Sequence, residues 1–176
     1  MAGIDETRKF LPVRIAVVTM SDTRTLETDT SGQVLVDRLT AAGHQLARRH
    51  IIKDDLGGIV ALLNELVADP MVDIVITTGG TGVTGRDSTP EAFDKVCEKK
   101  IEGFGELFRM LSFPKIGTSA LQSRATAGVA KGKYLFAVPG SPGACKDAWD
   151  DILKFQLDSR HRPCNFVELI PRLKEK

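Results

Sequence analysis

An α/β fold, a three-layer and mostly parallel doubly wound sheet with helices on both faces, is what this 176-residue sequence predicts. Three observations predict it. Val13 to Thr19 (VRIAVVT) and Val72 to Thr77 (VDIVIT) are short, β-branched and apolar on both faces, as strands between two helical layers are. Segments with helical apolar spacing separate such runs, and alternation of this kind favours parallel βαβ units. A loop with four glycines in ten residues, Thr78 to Asp87, then lies between a strand and a helix, where doubly wound sheets bind ligands.

Taken in order, Val13 to Thr19 is the first strand. Thr30 or Ser31 caps a helix with Val34, Leu35, Leu39 and Ala42 inward, and Gly43 stands at its C-cap. A second strand spans about Gln45 to Ile52. Ile59, Val60, Leu63, Leu66 and Val67 then recur at helical spacing until Asp69-Pro70 stops them. Beyond the Val72 strand and the glycine loop, Ser88 and Glu91 fit a capping box, with Pro90 at the start of a helix to Lys99. Gly103 to Leu111 and Thr118 to Ala125 carry helical spacing. Lys131-Gly132-Lys133 reads as a hairpin turn before the strand Tyr134 to Val138. After Pro139-Gly140-Ser141-Pro142, a helix over about Gly143 to Gln156 buries Ala144, Ala148, Ile152 and Phe155, and the rest is irregular. Residues 1–12 are expected to be a flexible leader, 13–157 one domain, and 158–176 a tail packed on the domain or on an oligomer partner.

Composition narrows the function. Twenty-four basic residues against 23 acidic ones are too balanced for a chain built to neutralise a nucleic-acid backbone, and one Trp and one Tyr offer little base stacking. No apolar run approaches the roughly 20 residues of a membrane span, and Met1 to Leu11 has no secretory apolar region, so a cytoplasmic location is expected. Cys97, Cys145 and Cys164 have no CxxC spacing, and His44, His50 and His161 have no i,i+4 pair, which argues against a disulfide framework and a zinc site.

The glycine loop carries the chemistry. Glycines let backbone approach a ligand and present consecutive N–H groups, while the helix behind offers a dipole end to an anion, so phosphate is the expected guest. Two familiar phosphate loops fail here. Gly80 to Gly85 spells GxGxxG, yet no strand ending in an acid follows about twenty residues later to hold a ribose. The same stretch has Walker spacing, yet Arg86 and Asp87 replace the lysine and the hydroxyl residue. Asp87 at the helix entrance favours the helix dipole by about 0.3–1 kcal/mol, but it repels bound phosphate unless a cation such as magnesium lies between. Asp54 and Asp55, after the second strand, are candidates for a second carboxylate or for a plain solvated turn. Ser21-Asp22 and Pro139 to Pro142 complete a ring of polar loops along one sheet edge, though each alone is more often a turn or cap than a ligand contact. Arg109, Arg124, Arg160 and Arg162 are candidate contacts for an anionic substrate or surface charges.

Thr77 to Gly82 (TTGGTG), Arg86 to Ala92 (RDSTPEA) and Pro139 to Pro142, in this order, resemble the MoaB and MogA family of molybdenum cofactor biosynthesis proteins. Glu102 to Glu106, Leu111 to Phe113, Gly117 to Ser119, Leu121 to Ala125 and Arg162 to Phe166 look most like the MoaB branch. The resemblance implies an α/β domain that binds molybdopterin, with ATP as co-substrate and Mg2+ as cofactor, and adenylylates the pterin phosphate with release of pyrophosphate. It also implies catalytic and metal-binding roles for Asp87 and Asp54. Phosphate or pterin would be held by Thr78, Gly79, Gly80, Thr81 and Gly82, with Ser21, Asp22, Pro139, Gly140, Ser141 and Pro142 around the pocket. A homo-oligomer, trimer or hexamer, and contacts with other enzymes of the pathway are expected on the same ground. The second reading is a non-catalytic molybdopterin-binding or carrier protein.

Overall fold

The computed structural model describes residues 3–175. Its main sheet has six strands: β2 (Arg14–Met20), β3 (Gln45–Ile52), β4 (Ile74–Thr78), β5 (Lys99–Lys100), β6 (Thr126–Ala130) and β7 (Lys133–Val138). They lie in the order β3-β2-β4-β7-β6-β5, with β3, β2, β4 and β7 parallel, β6 antiparallel to β7, and β5 antiparallel to β6. A separate small pair joins β1 (Gly3–Ile4) to β8 (His161–Arg162). The helices are α1 (Thr30–Ala41), α2 (Leu56–Ala68), α3 (Thr89–Val96), α4 (Glu102–Ile116), α5 (Pro142–Ala148), α6 (Lys154–Gln156) and α7 (Phe166–Leu169).

Alternating strand residues feed two cores, which makes the three layers. Ile15, Val17, Ile76 and Phe136 pack with Leu35 and Leu39 of α1, Phe104 and Phe108 of α4, and Trp149 beyond α5. Ala16, Val18, Val75 and Leu135 pack with Ile59 and Leu63 of α2 and Phe93 of α3 on the opposite face. The strand runs are apolar on both faces because both faces are covered. Burying a side chain such as Ile76 or Leu135 completely is worth about 1.5–3 kcal/mol.

Several expected details differ. Asp29, rather than Thr30 or Ser31, caps α1, its Oδ1 accepting from Gly32 N at 2.9 Å, and Ser31 Oγ donates instead to Gly140 O at 2.8 Å. Ser88 makes no capping bond to α3, because its hydroxyl donates to Asp54 Oδ1 at 2.8 Å. That helix ends at Val96, and Lys99 and Lys100 form β5 against β6. The expected helix over Thr118 to Ala125 is a tight turn, Gly117–Gln122, followed by β6, and α4 runs on to Ile116. The Lys131-Gly132 turn has positive φ at both residues, 49° and 79°, and joins β6 to β7 as a hairpin. Past α5 the helix widens into one π turn over Trp149–Leu153. The extra residue shifts the helical phase, so Leu153 and Leu157 point inward and Phe155, expected inside, is exposed. The tail beyond 158 carries β8 and α7, and Phe166 lies 4.6 Å from the Tyr134 ring.

Candidate functional site

β2, β3, β4 and β7 end at one edge of the sheet, so the segments after them come together. Gly79 and Gly80 take φ of 100° and 64° after β4, conformations in which a side chain is strained. A Cβ at Gly79 would meet Met20 O at 2.5 Å, and one at Gly80 would meet Asp54 Oδ2 at 2.6 Å. At Gly82 it would meet Asp87 Oδ2 at 2.7 Å. The glycines therefore clear room for the β2 end and for two carboxylates as well as shaping a loop. Gly140 adds a fourth approach, its missing Cβ 3.1 Å from Gly79 Cα.

The carbonyls of this loop are tied back into the protein. Thr89 Oγ1 donates to Gly79 O at 2.9 Å, Thr89 N to Gly80 O at 3.0 Å, and Arg124 N to Thr81 O at 2.9 Å. Arg124 Nε donates to Gly82 O, its Nη2 donates to Asp87 O at 2.9 Å, and its Nη1 pairs with Glu91. In a trans peptide the following N–H points opposite to the carbonyl, so the Gly80 and Thr81 amides are turned the other way, as in a backbone anion nest.

A cavity of about 630 Å³ opens there, within the range of small-molecule sites. Gly79, Gly80, Thr81, Gly82 and Asp87 line one side, and Pro139, Gly140 and Ser141 another. Helix α4 and the turn after it supply a wall that sequence reasoning missed: Phe108, Ser112, Ser119, Gln122 and Ser123. Phe108 and Ser112 are spaced i,i+4 on one helix face, and Ser112 Oγ donates to Phe108 O at 2.8 Å. A serine in an apolar helix face was the available signal. Thr78 stands behind the loop, its hydroxyl donating to Pro139 O at 2.9 Å and touching Cys145 Sγ at 3.1 Å. Burial pushes the Cys145 thiol up to about 11, so it stays protonated beside the site. Ser141 caps α5 through Ala144 N at 3.1 Å, with Pro142 at the first helical turn.

Asp87 Oδ2 accepts from Thr84 Oγ1 at 2.6 Å and from Thr84 N at 2.8 Å. The Thr84 hydroxyl, with the Thr84 and Gly82 amides and the nearby Arg124 charge, holds the Asp87 carboxyl below the usual carboxylate range despite partial burial. Among the described residues no arginine pairs with its carboxylate, and Arg124 donates to its backbone carbonyl instead. The two carboxylates left open after β3 are separated by the structure. Asp55 caps α2, accepting from Gly58 N at 2.7 Å, while Asp54 faces the glycine loop through Ser88. Ser21 and Asp22 line a neighbouring cleft instead of this cavity, and Asp22 pairs with Arg86 of the loop. Arg109 reaches Ser123 O at 3.3 Å, Arg160 pairs with Asp158, and Arg162 pairs with Glu168. Among the described residues no three His, Cys, Asp or Glu side chains group as a metal site, and no helix is long and apolar enough to cross a membrane.

Residues 16–159 match the family model described as a probable molybdopterin binding domain. The chain is 49% identical over 158 residues to molybdenum cofactor biosynthesis protein B of Escherichia coli K12, covering 90% of this chain and 93% of that protein. It is 45% identical over 158 residues to the protein of the same name in Bacillus cereus, covering 88% and 94%. A crystal structure of molybdenum cofactor biosynthesis protein B superposes with a TM-score of 0.86 at 39% identity, covering 96% of this chain and all of that one. The tungsten cofactor synthesizing protein MoaB of Pyrococcus furiosus superposes at 0.76 with 28% identity, covering 93% and 98%. With the glycine loop, the Asp87 helix and the Pro139 turn around one cavity, the chain belongs to the molybdopterin-binding domain family of molybdenum cofactor biosynthesis, in the company of its MoaB-type members.

Proposed function

We propose that the cavity holds molybdopterin and that the protein adenylylates it with ATP. The observation that carries this reading is the placement of Asp87 on the wall that the glycine loop shares with the cavity. A phosphate oxygen of molybdopterin attacks the α-phosphorus of ATP, the bond to the bridging α,β-oxygen breaks, and pyrophosphate leaves. Reactions of this kind need positioning and charge neutralisation more than a nucleophilic side chain. The Gly80 and Thr81 amides donate to phosphate oxygens, and Ser141 and the Pro139 turn bound the pterin. Asp87 and Asp54 offer hard oxygen donors of the kind magnesium takes, one or two carboxylates with the remaining positions left to substrate phosphates and water. Magnesium bound there would screen the phosphate charge.

Self-association into a trimer or hexamer is part of the proposal. Met110, Phe113 and Leu121 are 63%, 58% and 83% exposed along α4 and the turn after it, an apolar surface that a partner copy would cover. The test of the function is pyrophosphate release from ATP with and without molybdopterin, alongside molybdopterin binding by equilibrium dialysis. Release that depends on the pterin supports adenylylation, and tight binding without release assigns the protein to carriage of the pterin.

A further inference from the structure

We infer that the cleft between the segment after β2 and the C-terminal end of β3 is a polyphosphate subsite. The adenylylation reading supplies the rest of the assignment, that the subsite takes the β- and γ-phosphates of the nucleotide and then the departing pyrophosphate. The molybdopterin cavity is poorly suited to that tail. Among the described residues its lining has no lysine or arginine, and of its two carboxylates Asp147 pairs with Lys115 at 2.8 Å while Asp87 has no ion-pair partner. The small cleft on the far side of the glycine loop has Arg124, but Asp87 and Glu91 share that lining and the guanidinium is committed to Gly82, Asp87 and Glu91.

The cleft beside β3 has the opposite character. It encloses about 460 Å³ and is lined by Ser21, Asp22, Arg24, Arg49 and Lys53 among others. Its one carboxylate, Asp22, is neutralised by Arg86. Arg49 contacts buried Asp29 at 3.4 Å, yet its Nε is buried without an acceptor, so this guanidinium carries more donor capacity than the fold uses. Arg24 gives one N–H to Thr28 O at 3.0 Å, and neither Arg24 nor Lys53 forms an ion pair among the described residues. The carboxylates next in the chain to Lys53 are turned elsewhere, Asp54 to Ser88 and Asp55 to Gly58 N. Two cations are therefore left uncompensated around one concave surface.

This surface adjoins the catalytic loop. Ser21 N donates to Ile52 O at 2.8 Å, which fastens the two walls together. The Asp22–Arg86 pair links the cleft to the glycine loop, and Lys53 directly precedes Asp54. A nucleotide with its α-phosphorus beside Asp87 thus has its anionic end directed to the cations of this cleft and not into a cavity lined by no lysine or arginine among the described residues. Arg24 and Lys53 would be specificity residues for the triphosphate.

Calorimetric titration of the full chain with inorganic pyrophosphate, without added magnesium, tests the subsite by itself. The R24Q/K53Q variant is expected to bind pyrophosphate at least about tenfold more weakly than the parent, two charge-assisted contacts being lost. A K9Q/K95Q control, with the same change in net charge at exposed positions away from the cleft, should change affinity less than about twofold. ATP affinity should follow pyrophosphate in R24Q/K53Q, and AMP affinity should not. Equal losses in both variants, equal losses for ATP and AMP, or no binding of pyrophosphate by the parent chain would overturn the inference. Pyrophosphate bound in this cleft by a protein that releases none from ATP would overturn adenylylation and leave the subsite standing.

Discussion

Replacing Asp87 by Asn removes one negative charge while keeping the shape of the side chain. The carboxylate accepts from the Thr84 hydroxyl and the Thr84 amide, so part of its role is to hold the loop. Charge-assisted hydrogen bonds are roughly twice as strong as neutral ones, and Asn retains one acceptor oxygen, so the loss of stability should be about 1 kcal/mol. For a chain of this size that corresponds to a melting temperature about 2–4 °C lower. The backbone stays anchored because Arg124 holds the Asp87 carbonyl independently of the side chain. Removing a group that manages transition-state charge costs about a hundredfold to a thousandfold in turnover. Asp87→Asn should therefore lose at least about a hundredfold in pyrophosphate release at saturating ATP and molybdopterin, with molybdopterin affinity within about threefold of the parent. Thr84→Val separates the two roles, since it takes away the hydroxyl bond and leaves the charge. Turnover of Asp87→Asn near the parent value, or an equal rate loss in Thr84→Val, would refute the assignment of the carboxylate to chemistry.

Gly80→Ala meets Thr89 Oγ1 at 2.5 Å and Asp54 Oδ2 at 2.6 Å with φ at +64°, and should cost about 1–3 kcal/mol in chemical denaturation. Gly85→Ala, with nothing within 4 Å of the new carbon, should stay within about 0.5 kcal/mol of the parent. Arg124→Gln frees the Gly82 and Asp87 carbonyls and should slow turnover about tenfold or more. Arg124→Lys should not restore the rate, because a point cation cannot reach three acceptors, and full rescue by lysine in the kinetic assay would contradict the bracing role. Burial pushes His44 down to about 4, against the opposing pull of Asp158, and the ring lies between Phe10 and Trp149. Folded His44 is then neutral where the unfolded chain, with an ordinary value of 6.5, takes up a proton. Unfolding free energy should fall by about 3 kcal/mol between pH 6.5 and 4 and level off below for this group. His44→Asn, whose Oδ1 stands at the position of Nδ1 as acceptor for Val13 N, should flatten that part of the pH profile measured by urea denaturation, and an unchanged slope would contradict it.

The parallel half of the sheet was legible because Ile15, Val17, Ile74 and Ile76 sit in runs buried on both faces, which leaves a continuous apolar signal. β6 was not, because Thr126-Ala-Gly-Val-Ala has little β-branched character. Its Gly128 is there for a close approach, where a Cβ would meet Cys97 Sγ at 2.6 Å and Lys99 O at 2.8 Å. The π turn at Trp149 defeated a constant 3.6-residue period and misplaced Phe155. At the site, glycine density pointed to the loop and the end of the last parallel strand pointed to the Pro139 turn, which Gly140 and Gly79 bring into contact. Helix α4 was invisible as a site wall because Phe108 and Ser112 reach it only through tertiary packing. The separate duties of Asp54 and Asp55 were likewise hidden, since adjacent residues on one turn face different partners 34 and 3 positions away.

ATP radiolabelled at its α-phosphate, incubated with the protein, magnesium and molybdopterin, tests the central claim most directly. Label should appear on the pterin in step with pyrophosphate and should vanish in Asp87→Asn. Label that stays on ATP while the pterin remains bound, or that moves equally well without Asp87, would contradict it.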